Sequence, residues 1–389
     1  MSLRACLSRS RAALVSLLLL LATGSVAQAG ALPNDPLGAV RKLGAPAPHW
    51  MWVNDLVFPH MPDGQAYLID GDRGTVLGQL STGFGFIRLV IPQDHKVIYS
   101  PETYFSRGTR GTRSDVISIY DPGTLSPLGE IPIPAKRAFN VPVMANVELT
   151  DDDRFLLVYN FNPAQSVSVV DTRARKFVGE IETAGCALVY PTGPRSFFSI
   201  CADGTVLDVR LNDNGTLAHQ ERTPRMFDVS QDPVTEKGVR LADTWLFPSY
   251  DGMIYSIIIG SSHALASGAT WSLLSAAERQ QSWRPGGVQQ LVIHAGTRRL
   301  YAILHQGPRS SHKDPGKDVW VYDLDKRTRV QRLALRNPAG AIQVTADASP
   351  LLFTASMEST TMDIYDARSG DYLRSIGSIG TTPTLLLSP

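Results

Sequence analysis

Few residues of this chain have the types and spacing that catalysis requires. The sequence has no phosphate-binding glycine loop and no His-Glu-x-x-His pair, and its eight histidines are scattered. His305 and His312 share one segment without a third obvious ligand, so solvated loop histidines explain them better than a metal centre. The run Asp151–Asp153 could bind calcium, but such a run between two predicted strands is more often a solvated turn. The sequence therefore predicts neither a catalytic residue nor a metal site in this chain.

Glycines flank a phenylalanine in the segment Gly83-Phe84-Gly85-Phe86. Glycine has no Cβ, so these residues would let an aromatic ring sit on an adaptable loop. A ring in that position suits a partner contact or a gate, because aromatic side chains supply large contact areas. Packing in the core is an equally good interpretation of the same segment.

The N-terminus has the pattern of a secretory signal peptide. Three arginines precede the apolar stretch Ala12–Ala22, and Ala27-Gln28-Ala29 has small residues at the spacing that a signal peptidase accepts. The apolar stretch is short for the roughly 30 Å of hydrocarbon in a bilayer, which argues against an uncleaved anchor. We expect residues 1–29 to be a cleaved signal peptide, residues 30–48 to be an arm rich in Pro, Gly and Ala, and the exported protein to have no membrane segment.

Signal cleavage would remove Cys6 and leave Cys186 and Cys201. Two cysteines 15 residues apart in an exported protein most simply form one disulfide, here around a predicted hairpin at 187–200. A redox or metal role would need closer spacing or further ligands. We therefore predict a structural disulfide.

Short strands that recur along the chain must position these residues. In each unit apolar residues alternate with small or polar ones and end near an Asp and a turn, a pattern typical of antiparallel hairpins. The seven markers of the pattern are Asp70, Asp121, Asp171, Asp208, Ile257, Asp323 and Asp366. Most intervals between successive markers are close to the roughly 40–50 residues of a β-propeller blade. Each blade is a small sheet that buries both of its faces only when neighbouring blades stack on it. The sequence therefore predicts an all-β fold, a seven-bladed β-propeller of four-stranded antiparallel blades, over residues 49–389.

Two predicted blades have longer connections between their second and third strands, at 104–113 and 305–313, and both connections are basic. Their cationic residues are Arg107, Arg110 and Arg113 in one and Arg309 and Lys313 in the other. Equivalent loops of different blades leave a propeller on the same face, so both would add positive charge to one rim. Loops on a rigid scaffold often carry function, although solvated charge is the competing interpretation.

The longest step between markers surrounds Trp283. Upstream of it, Ser275 and Glu278 have the spacing of a capping box, which predicts a short helix. We expect Trp283 to be a packing anchor rather than a substrate platform, because an aromatic residue after a helix usually seals that helix to the sheet.

The composition restricts the class of partner. The formal net charge of the 389-residue chain is +1 and 43% of its residues are hydrophobic. A globular protein of this kind lacks the basic excess that nucleic-acid binding demands. We therefore expect no nucleic-acid partner.

Taken together, these features resemble the heavy (large) subunit of the quinoprotein amine dehydrogenases. The stretches that carry the resemblance, besides the signal peptide and the seven units, are Thr82–Gly85, Tyr104–Asp115, Asp121–Pro127, the Cys186/Cys201 pair and Ser282–Gly287. The similarity runs through nearly the whole mature chain. The run from Phe105 to Arg113 and the segment Ser311–Pro315 favour the aromatic (aralkylamine) branch over the methylamine branch.

The resemblance implies a periplasmic enzyme of two heavy and two light subunits. In this family the cofactor, tryptophan tryptophylquinone, is built from two tryptophans of a small cysteine-rich light subunit. A primary amine is converted there to an aldehyde and ammonia, and the electrons pass to a blue copper protein such as azurin or amicyanin. The present chain would carry no cofactor and no catalytic residue, and would supply the scaffold and part of the substrate channel.

The resemblance also implies roles for single residues. Phe84 matches the heavy-chain phenylalanine that lines the entrance to the quinone pocket, and Phe86 in the same motif is a competing candidate. The cationic residues of the segments 104–113 and 305–313 would be contacts for the light chain or the copper protein.

Two other classes of function remain open from the sequence. An exported β-propeller that serves only as a binding or interaction module would have the same fold. The fold alone therefore cannot distinguish such a module from the heavy subunit of an amine dehydrogenase. A propeller enzyme with its own metal or quinone would need ligands that point inward on the central axis, and the sequence does not reveal them.

Overall fold

The computed structural model describes residues 42–86, 88–260 and 265–389. The predicted signal peptide and most of the predicted arm lie outside the described residues. Seven antiparallel sheets follow one another along the chain. These sheets are the predicted blades, and the seven-bladed β-propeller is confirmed.

The first blade combines strands from both ends of the described chain, and the next two blades follow in chain order. Blade 1 contains β1 (Trp50–Asp55), β2 (Gly64–Asp70), β3 (Thr75–Gly83) and the last strand, β29 (Pro383–Leu387), in the order β29-β1-β2-β3. Blade 2 contains β4 (Ile98–Phe105), β5 (Arg113–Tyr120) and β6 (Pro127–Ile133), with its first strand reduced to a bridge between Val90 and Tyr99. Blade 3 contains β7 (Val147–Leu149), β8 (Phe155–Asn160), β9 (Ser166–Asp171) and β10 (Lys176–Glu182).

The other four blades are continuous in the chain. Blade 4 contains β11 (Cys186–Gly193), β12 (Ser196–Cys201), β13 (Val206–Leu211) and β14 (Leu217–Arg222). Blade 5 contains β15 (Val239–Leu241), β16 (Thr244–Pro248), β17 (Met253–Ile259), β18 (Leu265–Ser267) and β19 (Trp271–Ser272). Blade 6 contains β20 (Trp283–Pro285), β21 (Leu291–His294), β22 (Arg299–Gln306), β23 (Gly316–Asp323) and β24 (Thr328–Ala339). Blade 7 contains β25 (Ala341–Val344), β26 (Leu351–Ser356), β27 (Ser359–Asp366) and β28 (Tyr372–Ile376).

Helices are few and short in the described residues. The α-helix α1 spans Ala276–Gln280, and the 3-10 helices span Phe58–Asp63, Met144–Asn146 and Ala295–Thr297. Across the described part of the chain, no helix has the length and apolar character needed to cross a membrane.

In five of the seven blades the Asp of the sequence pattern closes the turn after the third strand, whereas Asp208 lies within β13 and the marker of blade 5 is Ile257. Asp70 Oδ1 accepts hydrogen bonds from the backbone N–H groups of Asp72 and Arg73, both at 3.0 Å. Asp121 Oδ1 does the same for Gly123 and Thr124. An Asp that bonds to the backbone two or three residues later favours a tight turn, and this is why the marker recurs.

Burial of both sheet faces explains how the blades hold together. All six residues of β8 are buried. Phe155 and Leu157 pack in the cluster shared with blade 4, whereas Leu156 and Val158 pack in the cluster shared with blade 2. Alternate side chains of a strand point to opposite faces, so one strand contributes to two interfaces between blades.

Cys186 and Cys201 form the predicted disulfide. They occupy paired positions of β11 and β12, and both are almost completely buried. The bond therefore closes the hairpin between these two strands, as the spacing of the cysteines predicted.

We expect the double variant Cys186→Ala/Cys201→Ala to lower the free energy of unfolding by about 3 kcal/mol, because the unfolded chain would lose the constraint of a loop of about 15 residues. Urea unfolding of both proteins, with and without a reductant, measures this loss. The reductant should destabilise the wild-type protein and leave the variant unchanged. Equal stability of the two oxidised proteins would contradict the prediction.

The predicted capping box and packing anchor are both present. Ser275 N donates to Glu278 Oε2 at 2.8 Å, and Glu278 N donates to Ser275 Oγ at 3.3 Å, at the start of α1. Trp283 is buried, with its ring centroid 5.0 Å from that of Trp320, and the Arg332 guanidinium lies 4.4 Å from the Trp283 ring. Trp283 thus fixes the segment after α1 to blade 6.

Candidate functional site

Three phenylalanine rings meet where blades 1, 2 and 3 adjoin. Phe84 follows β3, Phe105 ends β4, and Phe139 lies between β6 and β7. The ring centroids of Phe84 lie 5.4 Å from Phe105 and 5.3 Å from Phe139, and the last two are 6.3 Å apart. All three pairs are edge-to-face, a favoured geometry for aromatic rings. We call these partly exposed residues the aromatic trio.

Glycine is required on both sides of Phe84. Gly83 and Gly85 have φ values of 73° and 89°, in the left-handed region. A Cβ on Gly85 would lie 2.2 Å from the carbonyl oxygen of Phe139. The backbone N–H of Phe84 donates to Thr103 O at 2.9 Å, so the segment is fixed rather than adaptable. The expectation of an adaptable loop was wrong because cross-blade hydrogen bonds hold its peptides.

The two phenylalanines of the predicted gate have different environments. Phe86 is 9% exposed and lies in the core, whereas Phe84 is half-buried and belongs to the aromatic trio. The Phe86 N–H donates to Phe139 O at 2.7 Å, which ties the end of this segment to the third ring of the trio.

A buried arginine lies behind the trio. Arg137 is 5% exposed, and its guanidinium donates to the carbonyl oxygens of Phe86 (3.0 Å) and Phe84 (3.2 Å) and to Thr103 Oγ1 (2.9 Å). Its backbone N–H donates to Asp115 Oδ2 at 2.9 Å. Burial lowers the pKa of Arg137 to about 10, and the nearby Asp115 carboxylate limits this decrease. The guanidinium therefore stays charged at neutral pH. The sequence analysis missed Arg137, since no local motif surrounds it.

Arg113 belongs to a strand and not to a solvated loop. The pairing of β4 with β5 continues to Phe105 and Arg113, so the turn itself is only 106–112. The Arg113 guanidinium donates to both oxygens of Asp115, at 2.8 and 2.6 Å, and lies 4.7 Å from the centroid of the Phe139 ring. Arg113 therefore supports the trio, whereas Arg107 and Arg110 are exposed in the turn. Their predicted contact with a partner stays a prediction.

The second basic segment leaves blade 6 and packs against blade 5. Arg309 Nη2 lies 3.4 Å from Asp251 Oδ2, and Lys313 is exposed. His305 is 9% exposed, with Nε2 at 2.8 Å from Ser311 Oγ, and burial lowers its pKa. The interpretation of His305 as a solvated loop residue was wrong, because β22 extends through it.

His312 is also partly buried. Its ring stacks on that of Tyr250 with a centroid distance of 4.1 Å, and its Nε2 lies 3.1 Å from the Tyr250 hydroxyl. Burial lowers the pKa of His312. The His312 carbonyl oxygen accepts a hydrogen bond from Lys237 Nζ at 3.3 Å. The segment therefore contacts Lys237, one of the residues that line the cavity at the centre of the propeller.

The aromatic trio and both basic segments share one face of the propeller. The basic segments join the second and third strands of blades 2 and 6, and the trio segments include connections between successive blades. In an antiparallel meander, connections of these two kinds emerge on the same side. We call this side the trio face. Blades 1 and 7 separate blades 2 and 6, so the two basic segments lie apart on it.

The central channel contains charged groups but holds no set of metal ligands within the described ranges. A cavity of about 360 Å³ is lined in part by Arg88, Glu148, Lys237 and Arg240. Arg88 and Glu148 form an ion pair, and removal from water raises the pKa of Glu148. Over the residues that the structure describes, no group of three His, Cys, Asp or Glu side chains could hold a metal ion. The hypothesis of a resident metal requires a cluster of ligands on the axis. The described residues of the cavity instead form the ion pair between Arg88 and Glu148.

The three carboxylates of the run Asp151–Asp153 are engaged in separate contacts. Arg240 donates to both oxygens of Asp151, at 2.7 and 3.0 Å, and Arg195 donates to Asp152 at 2.6 Å. Asp153 Oδ2 accepts from the backbone N–H of Gln93 at 2.8 Å. These carboxylates link neighbouring segments and do not converge on one point.

Comparison with known proteins decides the family. A family model described as methylamine dehydrogenase heavy chain matches residues 49–388. This chain belongs to the methylamine dehydrogenase heavy-chain family. The methylamine dehydrogenase heavy chain of Paracoccus versutus is 31% identical over 330 residues, which cover 83% of this chain and 75% of that one. The heavy chain of Methylorubrum extorquens is 29% identical over 334 residues, which cover 83% and 79%.

These relatives confirm the predicted amine dehydrogenase heavy subunit but do not distinguish the aralkylamine branch within the methylamine dehydrogenase heavy-chain family. Among solved structures, the periplasmic gluconolactonase of Pseudomonas aeruginosa superposes with a TM-score of 0.60 and 17% identity, covering 87% of this chain and 99% of that one. At that identity the likeness shows the propeller fold alone.

Proposed function

We propose that this chain is the heavy subunit of a periplasmic, tryptophan tryptophylquinone-dependent amine dehydrogenase, and that the aromatic trio lines part of the path to the quinone. The family match over residues 49–388 is the observation that carries this proposal. The complete enzyme would contain two heavy chains and two small cysteine-rich light chains. It would convert a primary amine to an aldehyde and ammonia and pass the electrons to an azurin- or amicyanin-like copper protein.

The residues of this chain fit a supporting role. The quinone of the light chain, when present, supplies the electron sink for amine oxidation. The trio offers three partly exposed rings on one face, and the glycines and the buried Arg137 hold Phe84 in a fixed position. Fixed apolar walls can exclude water and orient a substrate without taking part in bond making.

Phe84 is our choice for the residue that lines the entrance, in preference to Phe86. Its ring is half-buried and contacts two other rings, whereas Phe86 is in the core. An aromatic amine can add its own edge-to-face contacts to such a group, each worth about 0.5–1.5 kcal/mol beyond burial. This supports an aralkylamine rather than methylamine as the preferred substrate.

The exposed cations of the trio face are proposed contacts for the light chain or the copper protein. Arg107 and Arg110 project from the turn 106–112, and Arg309 and Lys313 lie on the same face in the connection of blade 6. Separated positive charges of this kind would steer an acidic partner more than they would hold it, because exposed ion pairs are weak and screened by salt.

Purification of the tagged chain from the periplasm of the organism that encodes it tests the proposal. We expect a second, small cysteine-rich chain to co-purify in equal amount, with the absorption of a quinone. Tyramine-like amines should bleach that absorption more efficiently than methylamine, and a blue copper protein should restore it. A chain that purifies alone, without quinone absorption, would support an exported interaction module instead.

A further inference from the structure

We propose that Arg137 is a positioning residue that fixes Phe84 and so sets the width of the opening between the rings of the aromatic trio. This inference rests on the proposed role of the trio as part of the substrate path. Arg137 itself is buried and acts through the backbone of Phe84.

The hydrogen bonds of Arg137 converge on the backbone around Phe84. Its guanidinium holds the carbonyl oxygens of Phe84 and Phe86, and the Phe84 N–H is held by the carbonyl oxygen of Thr103. The Thr103 side chain accepts from Arg137 and donates to Asp115 Oδ1 at 2.9 Å. Arg137 therefore holds the peptide after Phe84 directly, and it contacts Thr103, the residue that holds the peptide before Phe84.

The same network reaches a second ring of the trio. Asp115 accepts from both Arg113 and the backbone of Arg137, and Arg113 Nη2 also donates to the Arg137 carbonyl oxygen at 2.7 Å. The Arg113 guanidinium lies over the ring of Phe139. Displacement of Arg137 would therefore change the positions of Phe84 and Phe139 together.

Only arginine can make this set of contacts. Its planar fork donates to several acceptors in fixed directions, whereas a lysine ammonium is a compact charge on a flexible stem. A lysine at position 137 would keep the charge but reach fewer of the three acceptors. The preference for aromatic over short aliphatic amines should therefore fall in Arg137→Lys as well as in Arg137→Gln.

The test uses the assembled enzyme of heavy and light chains with Arg137→Lys or Arg137→Gln in the heavy chain. We expect the ratio of kcat/KM for tyramine to kcat/KM for a short aliphatic amine to fall at least about threefold, because the rings lose their fixed spacing. Hydrogen exchange of the Phe84 amide should accelerate at least about tenfold, because local opening becomes easier. A role in overall stability alone would lower Tm and move neither quantity.

Arg154→Gln is the matched control. It removes the ion pair with Asp171, whose atoms are 2.8 Å apart, in a connection on the face opposite the trio face. We expect it to leave the amine ratio and the exchange of the Phe84 amide unchanged. If neither Arg137 variant folds, Thr103→Val removes one acceptor of the guanidinium and carries the test with the same measurements.

Phe84→Ala separates the failure of this inference from the failure of the proposed function. If Phe84→Ala shifts the amine ratio and the Arg137 variants leave both the ratio and the exchange at wild-type values, the positioning role is wrong and the trio keeps its proposed function. If Phe84→Ala itself leaves the ratio unchanged, the role of the trio is wrong and the inference falls with it.

Discussion

Replacing Phe84 by alanine will reduce the preference of the enzyme for aromatic amines and leave the propeller folded. We expect kcat/KM for a tyramine-like amine to fall about tenfold relative to that for methylamine, since a difference of even one methylene group in a hydrophobic pocket changes discrimination by about 1–3 kcal/mol. The ring is half-buried on the trio face rather than in the core, so the propeller should remain folded. Steady-state kinetics on a panel of amines, with Tm measured on the same samples, checks both statements.

Phe86→Ala provides the comparison for this experiment. Phe86 is buried, so its truncation should cost about 3–5 kcal/mol of stability, as is usual for a core phenylalanine. In the folded fraction, the ratio between aromatic and small amines should remain near that of the wild-type enzyme. A ratio that responds to Phe86→Ala and not to Phe84→Ala would reverse the roles that we propose for the two residues.

The fold could be predicted because its signals are local. Alternation of apolar residues and the Asp that closes the following turn occur within ten residues of one another, and both recur in five of the seven blades. The markers Asp208 and Ile257, where the turn-closing Asp is missing, still fall within the strands β13 and β17. A turn that needs a particular side chain can be recognised from the sequence wherever it occurs.

The candidate site could be predicted only in part. Phe84 was found because its neighbours must be glycine, and a left-handed backbone is a local requirement. Phe105 ends β4, whereas Arg137 and Phe139 lie in the connection between β6 and β7, and these residues meet Phe84 only when blades 1, 2 and 3 pack. Nothing in their own surroundings in the sequence marks such a contact, so they became visible only in the structure.

The basic segments show the same limit. A cation such as Arg113 looks like loop charge in the sequence because glycine and threonine surround it. Pairing of β4 with β5 extends further than the turn residues suggest, and Asp115, two residues later on the same strand, binds the guanidinium. Which cations are free to meet a partner depends on these contacts, and the sequence cannot report them.

Closure of the ring was also beyond the sequence pattern. The last strand, β29, pairs with the first strand, β1, so strands from the two ends of the described chain meet in one sheet. Their pairing shifts register between Asn54 and Asp55. At this irregularity the buried carboxylate of Asp55 accepts hydrogen bonds from the backbone of Val57, Thr381 and Thr382. One side chain therefore satisfies the N–H groups that the irregular pairing leaves without a strand partner.

We expect Asp55→Ala to lower the free energy of unfolding by about 4 kcal/mol, because each buried N–H left without an acceptor costs about 1–3 kcal/mol. Asp366→Ala is the matched control, since Asp366 also accepts from two backbone N–H groups but closes a turn that is open to water. Its loss should be about 1 kcal/mol, the usual cost of a side-chain cap. Urea unfolding of the two variants compares these values. Equal losses would mean that water or a rearranged backbone replaces the carboxylate, and that the junction of β29 with β1 is no more sensitive than any other turn of the propeller.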